Sequence, residues 1–163
     1  MKNIKKSIMI AVMALTLCMV SHAQEYKTYE NKAFSIAYPA EWEITWDSYT
    51  FVNMATANGE IRFDIGFNDE GPMKAQLQDC VENWVLMKKG QGNKIDQKLV
   101  RDDYALVRSI ETNEDDGKQN VVVWFIMISS EPQCFTGTIQ SDMQHANEAL
   151  DALVKMLATL SPK

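Results

Sequence analysis

The sequence predicts one α+β domain, a central and mainly antiparallel β-sheet flanked by two helices. Short segments with apolar side chains at alternate positions recur along most of the chain, joined by short turns. Two segments only, one mid-chain and one at the end, carry apolar residues at three- and four-residue spacing. No internal repeat and no Pro/Gly/Ser-rich linker divides the pattern.

The first stretch reads as a leader. Lys2, Lys5 and Lys6 precede an apolar run from Ile8 to Val20, and Ser21-His22-Ala23 places small residues before a cut, so cleavage is expected between Ala23 and Gln24. The run falls short of the ~20 apolar residues of a transmembrane helix. Leu15-Thr16-Leu17-Cys18 loosely matches a lipoprotein signal. Such sites want a small residue before the cysteine, however, and Leu17 is bulky, so a lipid anchor at Cys18 is not expected. Residues 1–23 are therefore read as a signal peptide and 24–163 as a single exported domain, periplasmic or secreted.

The mature chain opens with a strand from Glu25 to Glu30, Tyr26 and Thr28 inward, and a turn at Asn31-Lys32 makes it a hairpin. Phe34, Ile36 and Tyr38 alternate up to Pro39, which lacks an amide hydrogen and ends that ladder. Trp42, Ile44 and Trp46 are expected on one face of the next strand, opposite Glu41, Glu43 and Thr45, so that both tryptophans fill a core layer. After a turn at Asp47-Ser48 comes a strand over Tyr49 to Met54, then a loop to Gly59. Ile61, Phe63, Ile65 and Phe67 against Arg62 and Asp64 give the cleanest half-buried strand.

Asp69, Glu70 and Pro72 announce a helix with Met73, Leu77, Cys80, Val81, Trp84 and Met87 on its inner face, ended by Gly90. Strands follow at Lys94–Val100 and Tyr104–Thr112, and Gly117 closes an acidic hairpin loop from Asn113. Val121 to Ile128 is apolar throughout and must be covered on both faces. Cys134–Gln140 is the last long strand. A helix from Asp142 to Leu160 follows, with Ser141 and Gln144 as a capping box and a seam of Met143, Ala146, Leu150, Leu153, Leu157 and Leu160.

Loss of three lysines and no acids with the leader takes the formal charge from −6 to −9. An acidic surface without basic runs argues against nucleic acid or an anionic membrane as partner. Six methionines remain (Met54, Met73, Met87, Met127, Met143, Met156), each on an apolar stripe and read as core filler. Cys80 and Cys134 suit either a disulfide or two separate buried thiols.

Phe34-x-Ile36-x-Tyr38-Pro39, then two residues and Trp42, near the start of an exported domain, resembles the PsbP/Mog1-like superfamily. The resemblance implies an α/β/α-like sandwich around an antiparallel sheet. It also implies a non-catalytic binding or assembly role, since one subgroup associates with photosystem II, another with the small GTPase Ran, and bacterial members sit in the envelope. No partner-contacting motif of the superfamily can be matched here residue by residue.

Signatures of chemistry are few along the chain. There is no Gly-x-Ser-x-Gly elbow, Walker glycine loop, dinucleotide fingerprint or His-Glu-x-x-His, so no catalytic residue, cofactor or metal ligand is assigned. His145, the single histidine of the mature chain, is read as a surface residue, Glu41 and Glu43 as a solvated strand face, and Glu114-Asp115-Asp116-Gly117 as a plain turn. The expectation is an exported, non-catalytic binding or assembly module of the envelope. Its protein partner or small ligand would be met by the polar strand face of Arg62, Asp64, Glu43 and Thr45, or by loop tips. Two alternatives remain open: an envelope hydrolase with two carboxylates across a cleft, and a carbohydrate- or peptide-binding domain using exposed Trp46, Tyr49 or Tyr29.

Overall fold

The structure, a computed structural model, describes residues 24–113 and 116–163. The expected leader, its cleavage site and Cys18 lie outside the described residues, as do Glu114 and Asp115. In chain order the elements are β1 (Tyr26–Glu30), β2 (Phe34–Pro39), β3 (Trp42–Asp47), β4 (Phe51–Thr56), β5 (Ile61–Asn68), α1 (Leu77–Gly90), β6 (Lys94–Val100), β7 (Tyr104–Thr112), β8 (Gln119–Ser130), β9 (Gln133–Asp142), α2 (Ala146–Leu157) and β10 (Ser161–Pro162). Seven strands form an antiparallel sheet in the order β3-β4-β5-β9-β8-β7-β6. A second sheet, β1-β2-β10, was not expected from the sequence.

Asn31 builds the first hairpin. Its side-chain oxygen accepts from the amides of Ala33 and Phe34, both at 2.9 Å, an Asx turn that reverses the chain without a glycine. Pro39 then ends β2, and Trp42 begins a strand of the other sheet. The proline therefore divides two sheets rather than two stretches of one. Only tertiary packing decides this, because Phe34, Ile36 and Tyr38 cover the same apolar layer in either arrangement.

One face of the large sheet holds the main core. Val52, Met54, Phe63, Ile65, Val123 and Phe125 meet the small sheet and α2 there. Phe135 sits at its centre, 5.6 Å from Phe34 and 5.1 Å from Phe67 between ring centroids, and each fully buried phenylalanine contributes about 1.5–3 kcal/mol. On the opposite face α1 packs Leu77, Val81 and Val85 onto Ala105, Val107, Ile126 and Ile128. β8 is thus apolar on both sides because a helix covers each, as its unbroken run predicted.

Several local expectations change. Trp42 is 3% exposed, but Ile44, on the same face of this edge strand, is 41% exposed, and Trp46 is 53% exposed because β3 carries a bulge at Thr45. One extra residue inverts the side-chain alternation beyond it. Thr28 is exposed and Tyr29 buried, since Tyr29 packs on Phe34 at 6.0 Å. In α1 the buried stripe is Leu77, Val81 and Val85, while Met73 and Met87 are exposed; a single 3₁₀ turn at Lys74–Gln76 precedes the helix. Gly90 is the last helical residue, and Gly92, at φ +81°, supplies the left-handed exit.

Helix α2 begins at Ala146, not Asp142. Ser141 is a buried residue of β9, and it is Asp142 that accepts the His145 amide at 2.9 Å. The inner face of α2 is Ala149, Ala152, Leu153 and Met156, and Met143 is exposed. Of the six methionines only Met54 and Met156 are fully buried. Cys80 and Cys134 are free thiols, Cys134 buried and Cys80 half-buried on α1, and burial pushes both upward in pKa.

Candidate functional site: the open half of the sheet

Helix α1 covers only the β6-β7-β8 side of its face. The β3-β4-β5-β9 side has no described helix over it and presents three connected hollows. The largest, about 560 Å³, is lined by Glu43, Thr45, Asn53, Arg62, Asp64 and Gln140, among others. It shares Asp64 and Thr138 with a hollow of about 290 Å³ that reaches Phe51 and Trp124. It shares Arg62 and Gln140 with one of about 310 Å³ that reaches Lys118 and Asp142. The sequence-predicted polar face of Glu43, Thr45, Arg62 and Asp64 therefore comes together in one concavity.

Alternation and register put these side chains side by side. Arg62 stands opposite Ala55 and Gln140, and Asp64 opposite Asn53 and Thr138. Asp64 is the anchored member. Its carboxylate accepts the Thr138 amide at 3.1 Å and the Thr138 hydroxyl. Burial pushes its carboxyl above the usual aspartate range, and the two Thr138 bonds pull it back in part. Arg62 is exposed, and no carboxylate among the described residues pairs with it. Asn53 turns a buried side-chain oxygen into this region with no hydrogen-bond partner among the described residues.

The bulge at Thr45 adds an aromatic to this side. It swings Trp46 onto the polar face beside Asn53, where the ring rests on Phe51 at 5.4 Å between centroids. Phe51 in turn lies against Gly66, where a Cβ would approach the ring to 3.1 Å. Gly66 thus lets a phenylalanine lie close on the strand surface. At the boundary with α1, Trp124 stacks on Trp84 at 5.5 Å and 18°, with the Lys88 ammonium 5.1 Å from the centre of the Trp84 ring.

Other sequence candidates fall elsewhere. Glu41 precedes β3 and bonds Gln24, so it does not join Glu43. Tyr49 is 63% exposed at the β3–β4 turn under Lys32, whereas Tyr29 is buried and leaves the set of exposed aromatics. His145 bridges Asp142 at 2.8 Å and Glu60 at 3.4 Å, and these carboxylates hold its pKa above the ordinary value. Asp116 is occupied by Lys118 in the turn closed by Gly117 at φ +70°. No group of three or more metal-binding side chains occurs among the described residues, and no described helix is long and apolar enough to cross a membrane. Asn53, Thr138, Gln140 and Trp124 were not singled out from the sequence. Their strands look core-like or unremarkable until register and the reach of α1 are known.

No protein-family model matches the chain, and no curated protein sequence matches it. Solved structures do. The Saccharomyces cerevisiae Ran-binding protein Mog1p aligns at TM-score 0.59 and 11% identity, over 85% of this chain and 96% of that one. Cyanobacterial PsbP (CyanoP) from Synechocystis aligns at TM-score 0.55 and 11% identity, over 90% and 97%. The chain has a PsbP/Mog1-like fold. A Bacteroides thetaiotaomicron structure aligns at TM-score 0.50 and 13% identity over 83% of this chain, which spans 49% of that protein. At such identities the PsbP/Mog1-like fold is shared and no residue role carries over. The landmark of Phe34, Ile36, Tyr38, Pro39 and Trp42, which carried the resemblance in sequence, is entirely buried. It belongs to the scaffold and not to the open face.

Proposed function

We propose that the chain is an exported, non-catalytic binding or assembly module of the bacterial cell envelope, cut after Ala23, that recognises its target through the open half of its sheet. The observation that carries this reading is the concave, uncovered β3-β4-β5-β9 surface, where polar groups converge beside an exposed tryptophan. The PsbP/Mog1-like fold supports it, since the aligned Mog1p is a Ran-binding protein. Glu43 and Asp64 line the same concavity from strands two apart, Asp64 tied to Thr138 by two hydrogen bonds, and Glu41 lies away from both, bonded by Gln24.

Two measurements test it. The protein recovered from the envelope fraction is expected to begin at Gln24; a full-length chain retained in the cytoplasm overturns the export. A photo-crosslinking residue at Thr45 or Gln140 is expected to capture the target in whole cells, and one at Val154, exposed on α2 beyond the opposite face, is not. Capture from Val154 alone would move the contact surface to the other side.

A further inference from the structure

Cross-strand register draws a single line over the open face. Trp46 of β3 stands opposite Asn53 of β4, Asn53 opposite Asp64 of β5, Asp64 opposite Thr138 of β9, and Thr138 opposite Trp124 of β8. An aromatic residue ends the line on each side, with an amide, a carboxylate and a hydroxyl between them, over four strand spacings or about 19 Å. We propose that this line is a groove for a neutral oligosaccharide laid across the strands, with Trp46 and Trp124 at its ends and Asn53, Asp64 and Thr138 bonding its hydroxyls. The inference rests on the reading of the open half-sheet as the contact surface and states what that surface takes.

The chemistry of the line selects this ligand class. Sugar hydroxyls both donate and accept, and their rings carry flat C–H faces. Asp64 spends two of about four acceptor positions on Thr138 and keeps the others. Asn53 lines the same concavity, and a turn of its side chain brings its amide, whose buried Oδ1 has no partner among the described residues, to one more hydroxyl. Gln140 and Thr45 border the same concavity with further amide and hydroxyl groups. Trp46, propped on Phe51, offers an exposed ring of the kind that stacks on a pyranose face.

Charge narrows the class. Glu43 and Asp64 outnumber Arg62 in the concavity, which disfavours a polyanionic glycan. A protein partner would be anchored by a desolvated apolar centre. The middle of this line instead is Asn53, Asp64 and Thr138, and the apolar Phe51 beside them is covered in part by Trp46. The Thr45 bulge itself fits a recognition role, since bulges re-aim side chains at sites, and without it Trp46 would point away from the line.

Titration of the purified protein with cellohexaose, maltohexaose, xylohexaose and mannohexaose, followed by tryptophan fluorescence and by saturation-transfer NMR on the sugar, tests this. At least one hexasaccharide is expected to saturate at millimolar concentration, with hexagalacturonate binding weakly or not at all. Trp46→Ala and Thr138→Val are expected to lose about tenfold or more in affinity, and Trp46→Phe to keep most of it. Thermal melting of Trp46→Ala alongside wild type separates lost binding from lost fold. Failure of all four sugars to saturate, undiminished binding by a folded Trp46→Ala, or equal binding of hexagalacturonate overturns the proposal. If the sugars fail while crosslinking from Thr45 still captures a protein, the saccharide is wrong and the open-face reading stands. If crosslinking from Thr45 and Gln140 fails as well, both fall.

Discussion

Trp42 and Trp46 leave the same strand on opposite faces. Trp42 is buried against the α2 side, and Trp46 lies exposed on Phe51 on the other, because the bulge at Thr45 inverts the alternation between them. Their removal should therefore differ sharply. Trp42→Ala is expected to cost about 3–5 kcal/mol, and Trp46→Ala within about 0.5 kcal/mol of nothing. Urea melts of the two variants check this; equal losses would mean that Trp46 also packs in the core. Trp42→Phe should cost less than Trp42→Ala, since the indole Nε1 is buried without a partner and its removal relieves an unmet bond.

Gly137 lies between β5 and β8 of the large sheet, where there is no room for a side chain. A Cβ there would lie 2.1 Å from the Asp64 carbonyl oxygen and 2.8 Å from Phe125 Cζ, so backbone on one side and a buried ring on the other would both have to move. Gly137→Ala is expected to destabilise by about 1–3 kcal/mol, the usual penalty of overpacking. Gly90→Ala, with open space around its added methyl, is the control and should leave the melt unchanged or slightly higher.

Asp64 is held with its carboxyl pushed up by burial. A raised folded value contributes stability that is present below the unfolded aspartate value of about 3.9 and is lost as pH rises through the folded one. At neutral pH the fold therefore bears the cost of a partly buried charge. Asp64→Asn, which keeps an acceptor for the Thr138 amide, should stabilise the protein at pH 7 relative to wild type, and the gain should shrink on acidification. A pH series of urea melts reads the sign, and a gain that grows toward low pH contradicts the assignment.

His145 has the opposite charge and a related pH window. Asp142 at 2.8 Å is the main cause of its raised pKa, helped by Glu60 at 3.4 Å and by Glu148. Its contribution should be complete below the unfolded histidine value of about 6.5 and fade as pH rises through the folded value. His145→Gln is expected to flatten the pH dependence of stability across that window. NMR titration of the imidazole should place its midpoint above the ordinary value; a midpoint below it would show that the carboxylates do not face the ring.

At the far edge of the sheet, Arg108 Nε and Nη2 grip Asp96 with three contacts of 2.7–3.1 Å. The guanidinium holds the Asp96 carboxyl below its usual range, so this pair stabilises above the unfolded aspartate value and loses its effect as pH falls through the depressed folded one. Both side chains remain partly exposed, and a double-mutant cycle with Arg108→Gln and Asp96→Asn should return below about 1 kcal/mol at neutral pH. A larger coupling would mean that the pair is shielded from solvent.

Much of this architecture was legible in one dimension. Alternation located the long strands, because a half-buried strand must place every second residue in the core; Ile61, Phe63 and Ile65 against Arg62 and Asp64 show the rule directly. β8 announced its double burial by having no polar position to expose between Val121 and Ile128. The polar members of the open face, Glu43, Thr45, Arg62 and Asp64, could be named for the same reason. Helix boundaries were less legible, since Asp142 and Ser141 offer capping chemistry whether the helix starts at once or four residues later.

Tertiary structure alone decided the rest. Periodicity says which residues share a face within one strand, but not which strand lies beside it, so the line from Trp46 to Trp124 exists only through register. A single added residue at Thr45 leaves composition and pattern almost unchanged, yet it moves a tryptophan from core to surface. The pairing of Ser161 and Pro162 with β2, which makes a second sheet, joins residues more than a hundred positions apart. The sequence by itself determined the nine longer strands, the two helices and the landmark around Pro39, because local sterics and burial act within a few residues. Where the sheet stays uncovered depends on how far α1 reaches over it, and that is a property of packing between distant segments.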